Sequence, residues 1–234
     1  VYEFEFNTEY NTDFAKLSRG ETLEALSAIA TGMENYYAEW TGPRRQTVAA
    51  DLDLDADELA EFDADATDFK TEIDRFRHGI EVLREDPRAL EAFQLMNEVN
   101  ARQHEFPGWR LFQLVFIVSN LSSVVRREHP ELETEYDDLA DVLWFPTGGG
   151  KTEAYLGLIV FNLFYDRLRG KDRGVTGWIR FPLRLLSRQQ KSRFLESMLY
   201  AEELRQSTSE LGLDGVGEPF SLGFFAGSYD TPNS

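Results

Sequence analysis

The residues most able to do chemistry form a glycine-rich segment in the second half of the chain. Residues 146–152 read Pro-Thr-Gly-Gly-Gly-Lys-Thr, and Glu153 follows. The glycines let the backbone turn with its N–H groups directed inward, because no Cβ atom obstructs an approaching phosphate. A helix that begins at Lys151 adds free amides and the positive end of its dipole. This combination predicts a loop that binds phosphate groups.

The side chains after the glycines predict ATP and Mg²⁺ as the ligands. Lys151 can reach the β- and γ-phosphates, and the Thr152 hydroxyl can ligate Mg²⁺. These two are the predicted catalytic residues, and Thr152 is the predicted metal ligand. The general pattern has Gly where this chain has Phe145, but the shorter form Thr-Gly-x-Gly-Lys-Thr is intact. The alternative, a glycine turn with a chance Lys-Thr pair, is disfavoured by the strand and helix patterns on either side.

A second candidate site lies further along the chain, in a basic stretch. The chain as a whole is acidic, with a net charge of −18. Yet the segment from Asp166 to Arg193 holds nine basic residues against two acidic ones. A nucleic-acid-binding surface needs such a local excess of positive charge to replace the counterions of the phosphates. A solvated helix face would have the same composition, so charge alone leaves both interpretations open.

Part of this stretch resembles motif Ia of the superfamily-2 helicases, P-x-R-x-L-x-x-Q. The matching residues are Pro182, Arg184, Leu186 and Gln189. The resemblance implies that Arg184, Ser187 and Arg188 bind the sugar-phosphate backbone of a nucleic-acid strand. Guanidinium groups suit this role, because they keep their charge and offer several donors to phosphate oxygens. The alternative for this segment is an Arg-rich amphipathic helix.

Upstream, Trp-Arg-Leu-Phe-Gln at residues 109–113 is similar to the L-R-x-x-Q segment of these helicases. In that family the Gln contacts the adenine edge, so the resemblance implies this contact for Gln113. The alternative is an ordinary Gln on a helix surface. The predicted cofactor-binding residues are then Gln113, Thr147, Gly148, Gly149, Gly150, Lys151, Thr152 and Glu153.

Three longer segments resemble a narrower group, the DrmA helicases of the DISARM antiphage defence system. They are residues 143–157, 180–190 and 223–233, and the resemblance covers about residues 109–233. It implies a cytoplasmic, ATP-dependent helicase or translocase, with DNA as the nucleic acid. It also implies a role in phage restriction beside other defence subunits. Nothing in the sequence suggests a membrane partner, since no apolar run is long enough to span a bilayer.

Apolar periodicity predicts a mostly helical, acidic N-terminal region. Apolar residues recur every three or four positions over residues 21–40, 69–83, 87–99 and 110–125, which predicts four helices. Between the first two, residues 51–74 hold eleven carboxylates and one Lys, which indicates a solvated loop or a surface helix. Residues 1–6 alternate apolar and polar side chains, as in a short strand.

The pattern changes after Asp137 and predicts an α/β fold. Strand-like runs at residues 139–145, 175–181 and 220–226 alternate with helical patterns at 151–168 and 183–205. This order predicts a parallel sheet with crossover helices, the first part of a RecA-like P-loop lobe. We therefore expect two domains, a helical acidic region over 1–135 and a partial P-loop NTPase lobe over 136–234.

ATP hydrolysis requires residues that this chain lacks. In helicases an Asp-Glu pair downstream of these segments holds Mg²⁺ and orients water, and no such pair appears before Ser234. The first residue is Val1, which also indicates a piece of a longer protein. We expect the full-length protein to hydrolyse ATP and this chain alone to be unable to do so.

Two other functions remain open at this stage. One is a P-loop NTPase that remodels proteins without binding nucleic acid. The other is a non-catalytic adaptor whose acidic region docks a partner subunit. Cysteine is absent and the three His residues lie singly, so the sequence predicts neither a thiolate site nor a zinc site.

Overall fold

The computed structural model describes residues 10–144, 150–180, 184–208, 213 and 217–224. For residues 184–189 it describes the backbone but not the side chains. Nine α-helices lie within these residues. They are α1 (Phe14–Leu17), α2 (Thr22–Thr41), α3 (Pro43–Asp51), α4 (Ala56–Glu85), α5 (Pro87–Gln103), α6 (Leu111–Ser119), α7 (Leu121–Val125), α8 (Lys151–Leu168) and α9 (Arg184–Ser207). A short 3₁₀ helix spans Pro130–Leu132.

The acidic stretch forms the first half of α4, a helix of 30 residues. Asp55 caps it: one carboxylate oxygen accepts from the backbone N–H groups of Asp57 and Glu58, both at 2.9 Å. The Glu58 side chain accepts in return from the backbone N–H of Asp55, which completes a capping box. Most side chains of this half are exposed, and the surface-helix interpretation is therefore confirmed for residues 56–74.

The core forms where α5 packs against α1, α4, α8 and α9. The second half of α4 buries Ile73 and Phe76, and α5 buries Phe93 and Met96. From α8, Phe161 packs into the same core. Apolar residues at helical spacing thus predicted α2, α4, α5, α6 and α8 correctly, because each presents one continuous apolar face to its neighbours.

Gly79 allows α4 to approach α6 closely. A Cβ atom at this position would collide with the backbone oxygen of Val118. The contact brings α6 into the core, where Leu114 and Ile117 are fully buried. The predicted helix over 110–125 is divided at Asn120 into α6 and α7.

The predicted parallel sheet is wrong for the part of the chain that the structure describes. These residues contain no strand, and their single β-bridge joins Asp13 to Gly108. The three runs predicted as strands of a RecA-like lobe lack regular structure at 139–144, 175–180 and 220–224. Residues 145, 181 and 225–226, and the predicted strand at 1–6, lie outside the described residues.

Exposure gives the physical reason for this error. A central strand of a parallel sheet is buried on both faces, yet Val142 is 81% exposed, Trp144 91% and Trp178 73%. An apolar sequence indicates only that a segment favours burial. A strand also needs neighbouring strands that pair with its backbone N–H and C=O groups. The described part of the chain supplies no such neighbours, and the observed fold class is all-helical.

The predicted division at residue 135 stays a prediction. Helices from both sides of it contribute to one core, since α5 packs directly on α8 and α9.

Among the described helices, none has the length and apolar character needed to cross a bilayer.

Candidate nucleotide site

The start of α8 is set by Gly150. This residue has a φ of 87°, in the left-handed region that favours glycine, and it is the N-cap of the helix. The helix then begins at Lys151, as the phosphate-loop interpretation requires. Its first backbone N–H groups have no intrahelical acceptors, which makes this end suitable for an anion. Thr147, Gly148 and Gly149 lie outside the described residues.

Gln113 connects α6 to the phosphate loop. Its side-chain amide donates to the backbone oxygen of Gly150 at 2.7 Å, and its side-chain oxygen accepts from the backbone N–H of Arg110 at 2.8 Å. Gln113 is 3% exposed, so it is not an ordinary surface residue. An amide side chain has two N–H donors and two acceptor lone pairs. One of each remains for a ligand, which matches the donor and acceptor on an adenine edge.

Gly150 packs closely against the end of the Gln113 side chain. A Cβ atom here would lie 2.6 Å from Nε2 of Gln113 and 3.4 Å from Oε2 of Glu153. Both side chains therefore lie on the side of Gly150 to which a Cβ atom would project. Such close packing suits a phosphate loop, in which the backbone must approach its ligand and its supports closely.

The first turn of α8 carries the remaining predicted ligands. The Thr152 hydroxyl lies 3.3 Å from that of Tyr155, which fixes its direction weakly. Thr152 and Lys151 are both partly exposed, as a metal ligand and a phosphate ligand must be. Glu153 forms an ion pair with Arg193 of α9. These residues fit Mg²⁺-ATP, for which they supply a hydroxyl, a cation and free helix amides.

The predicted nucleic-acid residues lie at the beginning of α9. Arg184 is its first residue, and Ser187 and Arg188 fall in its first two turns. The structure does not describe the side chains of these three residues, so their contacts with nucleic acid stay a prediction. Further along, the Ser197 hydroxyl donates to the side-chain oxygen of Gln103 at 2.8 Å and holds α9 on α5.

Arg193 is the residue of this region that the sequence did not single out. It belongs to the basic stretch, but its partner Glu153 lies on a different helix. Only the packing of α9 beside α8 brings the two together. The periodicity of each helix contains no signal for such a pair.

Buried Asp86 holds the far half of α8 in place. It is 2% exposed and accepts hydrogen bonds from the Tyr165 hydroxyl at 2.9 Å, His129 Nε2 at 2.9 Å and Arg88 Nε at 3.0 Å. Burial acts to raise the pKa of Asp86, but these hydrogen bonds outweigh burial and keep that pKa below its ordinary value. Burial, and then the bond to Asp86, raise the pKa of Tyr165. The ionised carboxylate thus ties α5, α8 and the segment after α7 together.

Buried Asp166 has a similar role at the end of α8. It accepts from Arg169 Nη2 at 2.8 Å, Lys171 Nζ at 2.6 Å and the Thr176 hydroxyl at 2.7 Å. Burial opposes ionisation, but these donors keep the pKa of Asp166 below its ordinary value. Three basic residues of the predicted nucleic-acid stretch (Arg167, Arg169 and Lys171) therefore make structural contacts here. Across the described ranges, no group of three or more acidic or His side chains is arranged to hold a metal ion.

Comparison with known proteins confirms the resemblance seen in the motifs. The chain is 34% identical over 242 aligned residues to a protein of Bacillus paralicheniformis named DISARM protein DrmA. The alignment covers 91% of this chain. This chain is similar to DrmA along nearly its whole length. It spans only 20% of the length of that DrmA, and no family model matches the chain.

The similarity to DrmA also includes the region in which no motif was recognised. An alignment that leaves out only 9% of the chain must take in most of residues 1–108. The alignment therefore includes most of the sequence that forms α2 to α5, although this sequence carries no catalytic pattern. The chain is thus similar to about one fifth of the length of that DrmA.

Proposed function

We propose that this chain forms the nucleotide-binding part of an ATP-dependent nucleic-acid helicase or translocase that acts in antiphage defence. The observation that supports this proposal most strongly is the hydrogen bond from the Gln113 side chain to the backbone oxygen of Gly150. A glutamine and a Gly-Lys-Thr segment that are far apart in sequence are in direct contact at the start of α8. The similarity to DrmA supports the defence role.

Each residue of this site has a distinct part in the proposed function. Lys151 neutralises the β- and γ-phosphates, and the amides of the first turn of α8 bind phosphate oxygens. Gln113 contacts the adenine edge with its second N–H and second lone pair. Thr152 would hold Mg²⁺, which when bound would neutralise charge on the phosphates.

The nucleic-acid contact in this proposal lies at the start of α9. Arg184 and Arg188 bind phosphates, and Ser187 adds a hydroxyl donor. Contacts of this kind do not read the base sequence, and they weaken as salt rises. In this proposal the strand is DNA, as the motif resemblance to the DrmA helicases implies.

Calorimetry on the full-length protein tests the nucleotide site. We expect Mg²⁺-ATP to bind and Lys151→Ala to weaken binding by about tenfold or more, because a charge-assisted contact to phosphate is lost. Lys171→Ala is a matched control, since this lysine pairs with Asp166 at the other end of α8. Equal affinities in the wild type and Lys151→Ala would overturn the proposed site.

The ATPase rate of the full-length protein tests the class of function. A nucleic-acid motor should hydrolyse ATP faster when single-stranded DNA is added. A rate that DNA leaves unchanged would indicate an NTPase that remodels proteins. Nucleotide binding without any hydrolysis would indicate the adaptor.

A further inference from the structure

Arg193 joins the helix that carries the candidate nucleic-acid residues to the helix that begins at the phosphate loop. Its guanidinium forms an ion pair with the carboxylate of Glu153, two residues after Lys151. The Glu153 side chain is 12% exposed, whereas that of Arg193 is 39% exposed. The pair thus connects α8 and α9 at the edge of the candidate nucleotide site.

The Glu153 end of this pair lies against the phosphate loop. A Cβ atom on Gly150 would be 3.4 Å from Oε2 of Glu153, so the carboxylate lies beside the last glycine of the loop. Glu153 is also in the first turn of α8, where a negative charge is stabilised by the helix dipole. A rearrangement of the loop that accommodates phosphate must therefore act on this carboxylate.

The Arg193 end lies where α9 is packed on the core. Its neighbour Phe194 is 4% exposed, and Ser197 is hydrogen-bonded to Gln103 of α5. Arg184 and Arg188 precede Arg193 on the same uninterrupted helix. At the helical rise per residue they lie roughly 14 Å and 8 Å away along the axis. The uninterrupted helix therefore connects the start of α9 to Arg193.

We propose that the Glu153–Arg193 ion pair couples nucleotide binding to nucleic-acid binding, with Arg193 as a positioning residue. The inference rests on the proposed function. Nucleic acid at the start of α9 fixes the position of Arg193, which holds Glu153 and the first turn of α8 in the arrangement that binds phosphate. By linkage, nucleotide tightens nucleic-acid binding by the same factor.

Burial makes this pair more effective than an ordinary surface ion pair. Exposed pairs contribute little, because water and salt screen both charges. The Glu153 carboxylate is largely withdrawn from water, and loss of its partner leaves a poorly solvated charge beside the loop. The arrangement of the loop therefore depends on whether Arg193 is in place.

The test measures nucleotide affinity of the full-length protein with and without saturating single-stranded DNA, using a non-hydrolysable ATP analogue with Mg²⁺. In the wild type we expect DNA to tighten analogue binding by about fivefold or more, the lower range of known coupling. Arg193→Gln should reduce this factor to below about twofold, chiefly because the affinity measured with DNA falls. Arg193→Lys keeps the charge and should retain part of the coupling.

Glu34→Gln is the matched control. It breaks the ion pair between Glu34 of α2 and Arg77 of α4, which also joins two helices but lies outside the candidate site. This variant should show the full effect of DNA on nucleotide affinity. Thermal denaturation of all variants identifies any that fail to fold, and Arg193→Lys then decides the question.

Several results would overturn the inference. One is an undiminished effect of DNA in Arg193→Gln, and another is an equal loss of nucleotide affinity with and without DNA, which would indicate a purely structural Arg193. A wild type that binds the analogue equally well with and without DNA would overturn the coupling but leave the nucleotide site intact. A wild type that binds no analogue would overturn the proposed function itself.

Discussion

Replacement of Gly150 by alanine tests the geometry of the candidate site most directly. Gly150 has a φ of 87°, and a Cβ atom here would be 2.6 Å from Nε2 of Gln113. Left-handed backbone costs a non-glycine residue about 1–2 kcal/mol. Displacement of Gln113 also breaks its hydrogen bond to Gly150, for a further loss of about 0.5–1.5 kcal/mol. We therefore expect Gly150→Ala to lower the free energy of unfolding by about 1.5–3.5 kcal/mol.

Gly170 provides a control that separates backbone strain from packing. Its φ is 85°, but a Cβ atom would have no neighbour within 4 Å. Gly170→Ala should therefore lose only the strain of about 1–2 kcal/mol. Both substitutions restrict the unfolded chain to the same extent, so that effect cancels in the comparison.

The assay is thermal denaturation of both variants followed by far-ultraviolet circular dichroism. The difference of about 1 kcal/mol corresponds to a Tm about 2–4 °C lower for Gly150→Ala than for Gly170→Ala in a chain of this size. Nucleotide affinity should fall in Gly150→Ala alone. Equal Tm values in the two variants would refute the close packing of Gln113 on the loop.

Three further predictions concern the structure around the site. Tyr165→Phe should lower the free energy of unfolding by about 1.5–3 kcal/mol in urea denaturation, because it removes a buried hydrogen bond to ionised Asp86; an unchanged midpoint would contradict this bond. The hydrogen bond with Glu131, and then that with Asp86, raise the pKa of His129, so the stabilisation is complete below the unfolded pKa of about 6.5 and is lost as pH rises through the folded value. The difference in free energy of unfolding between the wild type and His129→Gln should therefore shrink as pH rises through the folded pKa of His129. A difference that stays constant with pH would contradict the hydrogen bonds of His129 with Glu131 and Asp86. Gly79→Ala should destabilise by about 1–3 kcal/mol through its collision with Val118, whereas Gly20→Ala, in open space, should not, as melting curves of both will show.

The helices could be predicted from the sequence because their signals are local. Apolar residues at a spacing of three or four define a face, and Pro87 opens a helix where it lacks only an N–H that would have no partner. The helix that begins at Pro43 was not predicted. The start of α8 at Lys151 followed from the glycines before it for the same reason. The phosphate loop and the resemblance to DrmA likewise depend on residues that are adjacent in sequence.

The lack of strands among the described residues and the contacts between helices could not be predicted in this way. An apolar run such as 139–144 indicates that a segment favours burial. A strand also requires a second strand at hydrogen-bonding distance. Among the described residues none is present, and Val142 and Trp144 remain exposed. The apolar pattern of 139–144 is the same as that of a buried strand, so the pattern does not show that Val142 and Trp144 are exposed.

The sequence by itself determined which segments become helices and which residue types could bind phosphate. Tertiary structure alone decided that Gln113 contacts Gly150, that Glu153 pairs with Arg193, and that Asp86 receives the hydroxyl of Tyr165. These partners lie between 37 and 79 positions apart in the chain. Their contacts depend on how whole helices pack, and that packing minimises exposed apolar surface over the entire core rather than within any one segment.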